Sequence, residues 1–402
     1  MAGQNAAPIF AIRLRPATIL LVMLVMGTIT AAAGLQAQTF TVIHAFTGGG
    51  DGGSPEAGLT MDGAGTLYGT AFIAFKLRNS GSGWVLTPLY DFQSGLTTGE
   101  LVFGPNGSLY GTNPQGGYFG GLCWEYGCGL AFNLQPPPTA CTSAPCKWNE
   151  TTLYAFQDPG DGIPNNSIVF DLAGNLYGTT LLATVFELSF SGGTWTYNLI
   201  HRFNGMDGGD PYSGVIRDSL GNLYGTTAND GPYGYGTVYQ LSPSRSGWTI
   251  NFLYAFQNGS DGGSPIGGLI FDKQDNLYGT TGGGGSGGGG TVFKLTPADG
   301  LWTLTTLYSF SGMAGSYARL AMDATGSLYG TTYRDGAYGY GSVFKLTNSS
   351  GSWTYTDLHD FMSGEDGCFP MGNIALDTQG NLYSTASACG KYRNGVVWEI
   401  TH

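Results

Sequence analysis

The 402 residues include 70 glycines, only 10% charged and 13% aromatic side chains, and a formal net charge of −12. The glycines follow no three-residue period, which excludes collagen. So much aromatic surface with so little charge excludes a disordered chain. The 15 basic residues are outnumbered by 27 acidic ones, which argues against nucleic acid and anionic membranes as partners, since both need clustered Lys and Arg.

In chain order, Arg13 and Arg15 precede the apolar run ATILLVMLVMGTITAAAG (17–34), and small residues follow. This pattern predicts a signal peptide over 1–37, cleaved near Ala37, and no membrane span in the mature chain. The mature chain opens with TFTVIHAF (39–46). A phrase then recurs: GTLYGTA (65–71), GSLYGTN (107–113), GNLYGTT (174–180 and 221–227), DNLYGTT (275–281), GSLYGTT (326–332) and GNLYSTA (380–386). Its tyrosines are Tyr68, Tyr110, Tyr177, Tyr224, Tyr278, Tyr329 and Tyr383. Seven copies of a unit of about 50 residues predict a propeller rather than several domains.

Residues 257–310 show the whole unit. PIGGLIFD, NLYGTT, TVFKL and WTLTTLYSF are short runs rich in Val, Ile, Thr, Phe and Tyr, separated by turn residues. They read as four strands, a to d, of one blade. Strand d runs from Trp to Phe at constant spacing, as in Trp195 to Phe203 and Trp302 to Phe310, and strand c keeps an aromatic, as in Phe75, Phe186, Tyr239 and Trp398. These rings are expected to fill the space between sheets. The chain ends at GVVWEITH, a strand c, while TFTVIHAF matches strand d. The fold class expected is therefore all-β, a closed seven-bladed β-propeller over 38–402, in which the N-terminal strand completes the last blade and covers its edge.

Strand a ends in Asp62, Asp171, Asp218, Asp272, Asp323 and Asp377, with Gly104 in the second blade. Asp followed by Gly and Asn is hairpin chemistry. The phrase therefore reads as scaffold, an a–b hairpin and second strand on the face away from the site. Ligands are expected where loops vary, on the d–a and b–c face. There the unequal b–c loops gather Trp124, Tyr126, Asn229, Asp230, Tyr233, Tyr235, Tyr333, Arg334, Asp335, Tyr338 and Tyr340. Flat rings beside polar groups suit a glycan or protein ligand. Asp51, Asp161, Asp207, Asp261 and Asp366 in d–a loops are an alternative Ca²⁺ set, although Asp-Gly turns account for them, and no cofactor is expected. His44, His201 and His359 stand where other strands d carry Tyr, as packing rings. The six cysteines fit export; loop positions predict the pairs Cys123–Cys128, Cys141–Cys146 and Cys368–Cys389.

The phrase D-x-x-G-N-L-Y-G-T-T, with G-T-V-F-K-L and the W-T…L-Y-x-F strand, resembles the GloVer tandem repeat of exported, choice-of-anchor bacterial proteins. The resemblance spans nearly all of 39–402. It implies export to the periplasm, cell surface or medium and a propeller-like fold. It brings no catalytic residue to carry over. Three functions remain open: a monomeric binding module for a glycan or protein, a hydrolase or lyase of extracellular polysaccharide using carboxylates on the loop face, and a structural envelope protein.

Overall fold

Seven four-stranded antiparallel sheets, each with strand order a-b-c-d, make up the ring of a β-propeller. The computed structural model describes residues 38–92, 99–104, 107–119, 126–137, 147–157, 160–164, 166–312 and 315–401, and Phe40–Thr401 is one compact unit. The expected signal segment lies outside the described residues. In the last blade the sheet runs Ala375–Leu376, Leu382–Ala386, Val396–Thr401 and then Thr39–Ala45. The N-terminal strand thus closes the ring as strand d. No described helix is long and apolar enough to cross a membrane.

The core is divided into seven hydrophobic clusters. Each is built from two neighbouring blades, such as Leu67, Phe75 and Leu77 of blade 1 with Tyr383 and Val397 of blade 7. The repeated phrase supplies a share of every cluster, and each of its letters has a separate task. Its Leu (Leu67, Leu109, Leu176, Leu223, Leu277, Leu328, Leu382) is fully buried. Its Tyr sends the ring toward the next blade: Tyr224 meets Phe271 edge-on at 5.1 Å and lies 6.4 Å from Trp302. The Tyr hydroxyl turns back to its own hairpin. Tyr278 donates to Asp272 Oδ2 at 3.0 Å, while Asp272 Oδ1 accepts the backbone N–H groups of Gln274 and Asn276 at 2.9 Å each. Burial works to raise the Asp272 carboxyl, but hydrogen bonds from Asn276, Gln274 and Tyr278 outweigh it and hold the group below the usual carboxylate range. In blade 2 a Cβ on Gly104 would come within 2.2 Å of the Tyr110 ring, so that ring occupies the space of the missing Asp side chain.

The Gly of the phrase lies opposite the strand c aromatic, Gly178 against Phe186. A Cβ there would lie 2.6 Å from the Phe186 ring tip. The first Thr reaches the following blade: Thr112, Thr179, Thr280, Thr331 and Thr385 donate Oγ1–H to the carbonyls of Asn166, Ser213, Ser316, Pro370 and Ala57 at 2.7–3.3 Å. The last of these joins blade 7 to blade 1. Where a second Thr follows, it bonds the head of its own strand c, as Thr227 to Thr237 at 2.9 Å. The sequence reading assigned this phrase to the face away from the site. Its hairpin is there, but strand b crosses the blade, and its Thr end holds the loop face.

Two substitutions test this packing. Gly178→Ala forces a methyl into a fully buried ring and is expected to cost about 1–3 kcal/mol in denaturant unfolding. Tyr239 replaces the usual Phe of strand c, and its hydroxyl is buried without a hydrogen-bond partner among the described residues. Tyr239→Phe is therefore expected to raise stability by about 1 kcal/mol.

Candidate functional site at the channel mouth

The d–a loops lead into the innermost strands, so their last residues meet at the centre of the ring. There they line a cavity of about 620 Å³ to which all seven blades contribute. Its wall repeats. The residue three before the buried Leu, Ile or Val that opens each strand a is Glu56, Tyr212, Ile266, Tyr317 and Met371 in blades 1, 4, 5, 6 and 7, and all five line the cavity. The residue one before it is Gly58, Glu100, Ser167, Gly214, Gly268, Arg319 and Asn373, blade by blade, and these line it too. Most are small. A Cβ on Gly58 would come within 2.7 Å of the Asn373 backbone nitrogen, so the inner ends of adjacent blades touch.

Three blades depart from this small-residue ring, and their side chains bind one another. Arg319 Nη2 donates to Glu100 Oε2 at 2.9 Å, Asn373 Nδ2 donates to the same oxygen at 2.9 Å, and the Arg319 backbone N–H donates to Asn373 Oδ1 at 2.7 Å. The Arg319–Glu100 ion pair links blades 6 and 2, with Glu100 mostly buried. Glu56 stands outside this network, half-buried, and burial alone pushes its carboxyl up. Among the described residues it has neither a hydrogen bond nor an ion pair. None of these charged groups was singled out from sequence. The signal was present at one repeat position, where Gly, Ser, Glu, Arg and Asn alternate.

Of the expected rim residues, Asn229 lines the cavity, with Nδ2 donating to Asp210 Oδ2 at 2.8 Å. Asp230 forms a turn, with positive φ and its carbonyl accepting from Gly236. Tyr126, Tyr233, Tyr235, Tyr338 and Tyr340 have exposed rings. Tyr235 and Tyr340 also offer carbonyls to Ser264 and Phe369 of the next blade, at 2.9 and 2.8 Å. Tyr333 packs between Tyr317 and Phe369 at 5.1 Å from each, and the Arg334 guanidinium lies over Tyr333 and Phe369. Trp124 lies outside the described residues, as do Cys123, Cys141 and Cys146. Cys368 and Cys389 are disulfide-bonded, joining a d–a loop to a b–c loop, and Cys128 is disulfide-bonded as well.

The alternative cation set does not converge. Each carboxylate closes its own loop and ties its own strand d. Asp51 accepts from the Thr47 N–H at 3.0 Å with His44 Nε2 at 3.2 Å. Asp161 takes Gln157 N–H and the Tyr154 hydroxyl, and Asp261 takes Gln257 N–H and the Tyr254 hydroxyl. Asp207 and Asp366 pair with His201 and His359 at 2.9 and 3.2 Å. The three histidines thus pack as rings, His359 stacking on Phe40 at 3.6 Å, and also act as polar ties. Among the described residues no group of three His, Cys, Asp or Glu gathers to hold a metal ion.

Asp335 joins a cluster that the sequence did not reveal. Burial pushes Asp335 up, with Asp360 adding to it. Burial, then the charge and hydrogen bond of Asp360, push Asp357 up to about 6.

Fold and cavity together define a β-propeller module assembled from tandem repeats. Residues 221–402 match the model of the Gloeobacter/Verrucomicrobia repeat family. No curated protein matches the sequence. Among solved structures, the chain is similar to the extracellular domain assigned to a hybrid two-component system of Bacteroides thetaiotaomicron, at 16% identity and TM-score 0.55, covering 90% of this chain and 39% of the other. It is also similar to a gluconolactonase of Xanthomonas campestris, at 13% identity and TM-score 0.45, covering 92% of each. Likeness at these identities concerns the fold alone.

The Asp357 shift sets a pH test. A carboxyl raised in the folded state above its unfolded value makes the fold less stable as pH rises between the two. Asp357→Asn is therefore expected to raise the melting temperature at neutral pH, with the gain shrinking toward pH ~4, the ordinary carboxylate value.

Proposed function

We propose that this protein is a binding module that takes a saccharide at the channel mouth and works outside the cytoplasm. The observation that carries the reading is the cavity itself. It lies on the face where the loops depart from the repeat, has a volume of about 620 Å³, and mixes the rings of Tyr212 and Tyr317 with amide and carboxyl groups. Small-ligand sites commonly span about 300–1,000 Å³ and combine flat apolar walls with a few polar groups. Exposed tyrosines on the surrounding loops offer further stacking faces for a longer chain. The signal-like N-terminus and the Cys368–Cys389 disulfide support a location outside the cytoplasm.

The hydrolase alternative has less support. Glycoside hydrolysis ordinarily needs two carboxyl groups with separate roles. Of the two in the cavity, Glu100 is held by Arg319 and Asn373.

Calorimetric titration with a panel of soluble oligosaccharides tests the proposal. Binding is expected, with Tyr317→Ala weakening it about tenfold, the loss of one stacking face, at little cost in melting temperature. The absence of binding across glycan classes, or release of new reducing ends, would overturn it.

A further inference from the structure

We propose that Glu56 selects a saccharide bearing a protonated amine, so that the cavity is a site for amino sugars with free ammonium groups. The inference rests on the saccharide reading above and adds the charge of the ligand.

Glu56 follows Pro55 as Tyr212, Ile266 and Met371 follow Pro211, Pro265 and Pro370. The repeat therefore places a large, mostly apolar side chain on the cavity wall, and blade 1 alone among these carries a charge. Packing does not require that charge, since four other blades fill the same place with apolar or aromatic groups. Among the described residues, Arg319 is the one cation lining the cavity, and it is already paired with Glu100. Glu56 is left as a half-buried carboxylate with no partner among the described residues. Such a group costs free energy unless something answers it, and perturbed, unanswered groups in clefts mark binding sites.

The partner that answers a carboxylate best is a cation that also donates hydrogen bonds. A bare Ca²⁺ fits poorly, because it takes about six to eight oxygens and, among the described residues, no second free carboxylate lines the cavity. An ammonium group needs one carboxylate and otherwise neutral acceptors. At Gly58 and Gly214 adjacent blades come close, since a Cβ there would lie 2.7 Å from the Asn373 backbone nitrogen or 2.3 Å from the Ser167 carbonyl oxygen, so backbone rather than side chain forms this part of the wall. The net charge of −12 draws cationic ligands toward the protein. An acetylated amine offers neither the charge nor the full set of donors.

The test is titration calorimetry with length-matched oligomers of glucosamine and N-acetylglucosamine, in mildly acidic buffer that keeps the amines protonated. The glucosamine oligomer is expected to bind at least ~10-fold more tightly, the scale of one charge-assisted hydrogen bond. Glu56→Gln keeps the shape and removes the charge; it is expected to abolish that preference, leave the acetylated oligomer unaffected and leave the melting temperature unchanged. Equal binding of the two oligomers, or a preference that survives Glu56→Gln, overturns the inference while the saccharide reading stands. Binding of an oligolysine that is sensitive to Glu56→Gln, with neither sugar bound, overturns both, by showing that the amine belongs to a peptide.

Discussion

A hydroxyl hydrogen bond between neighbouring blades sets the shape of the cavity. Thr112, Thr179, Thr280, Thr331 and Thr385 each close on a backbone carbonyl of the following blade. Those carbonyls belong to Asn166, Ser213, Ser316, Pro370 and Ala57, which line the cavity or adjoin residues that do. The donors are buried, so each bond is costly to lose. Side chains on the cavity wall are therefore placed by the scaffold rather than by flexible loops. That is the kind of support a preorganised site needs.

The sequence was most legible where the physics is local and repeated. Blade number, strand order and ring closure follow from the spacing of one phrase and from the spare strand at TFTVIHAF. Within strand b the structure sends neighbouring residues to different clusters, as Leu67 and Tyr68 show. What stayed hidden was non-local. Glu100 and Arg319 are far apart in sequence, yet their side chains meet at 2.9 Å. Pairs of this kind depend on ring closure and leave no periodic trace. A comparison of equivalent repeat positions finds them, because a charge at a glycine position is visible even when its partner is not.

The carboxylates show how one residue type divides by surroundings. Hairpin aspartates such as Asp272 are held ionised by hydrogen bonds. Loop aspartates such as Asp261 accept a backbone N–H and the strand d ring. Asp357 sits against Asp360 and resists ionisation. Glu56 has none of these partners. Counting acidic residues around a rim, which suggested a cation site, could not separate these cases, since the difference lies in which donors the backbone brings near each one.

Ring closure also imposes an order of events. Strand Thr39–Ala45 belongs to the same sheet as Val396–Thr401, the first described strand with the last. Thr39–Ala45 is made before the other described strands, and its hydrogen-bonding edge stays unpaired until Val396–Thr401 has followed. Contacts at such separation fold slowly, and unpaired strands in the interval invite association with other chains. The hazard at this strand ends only when Val396–Thr401 arrives to pair with it.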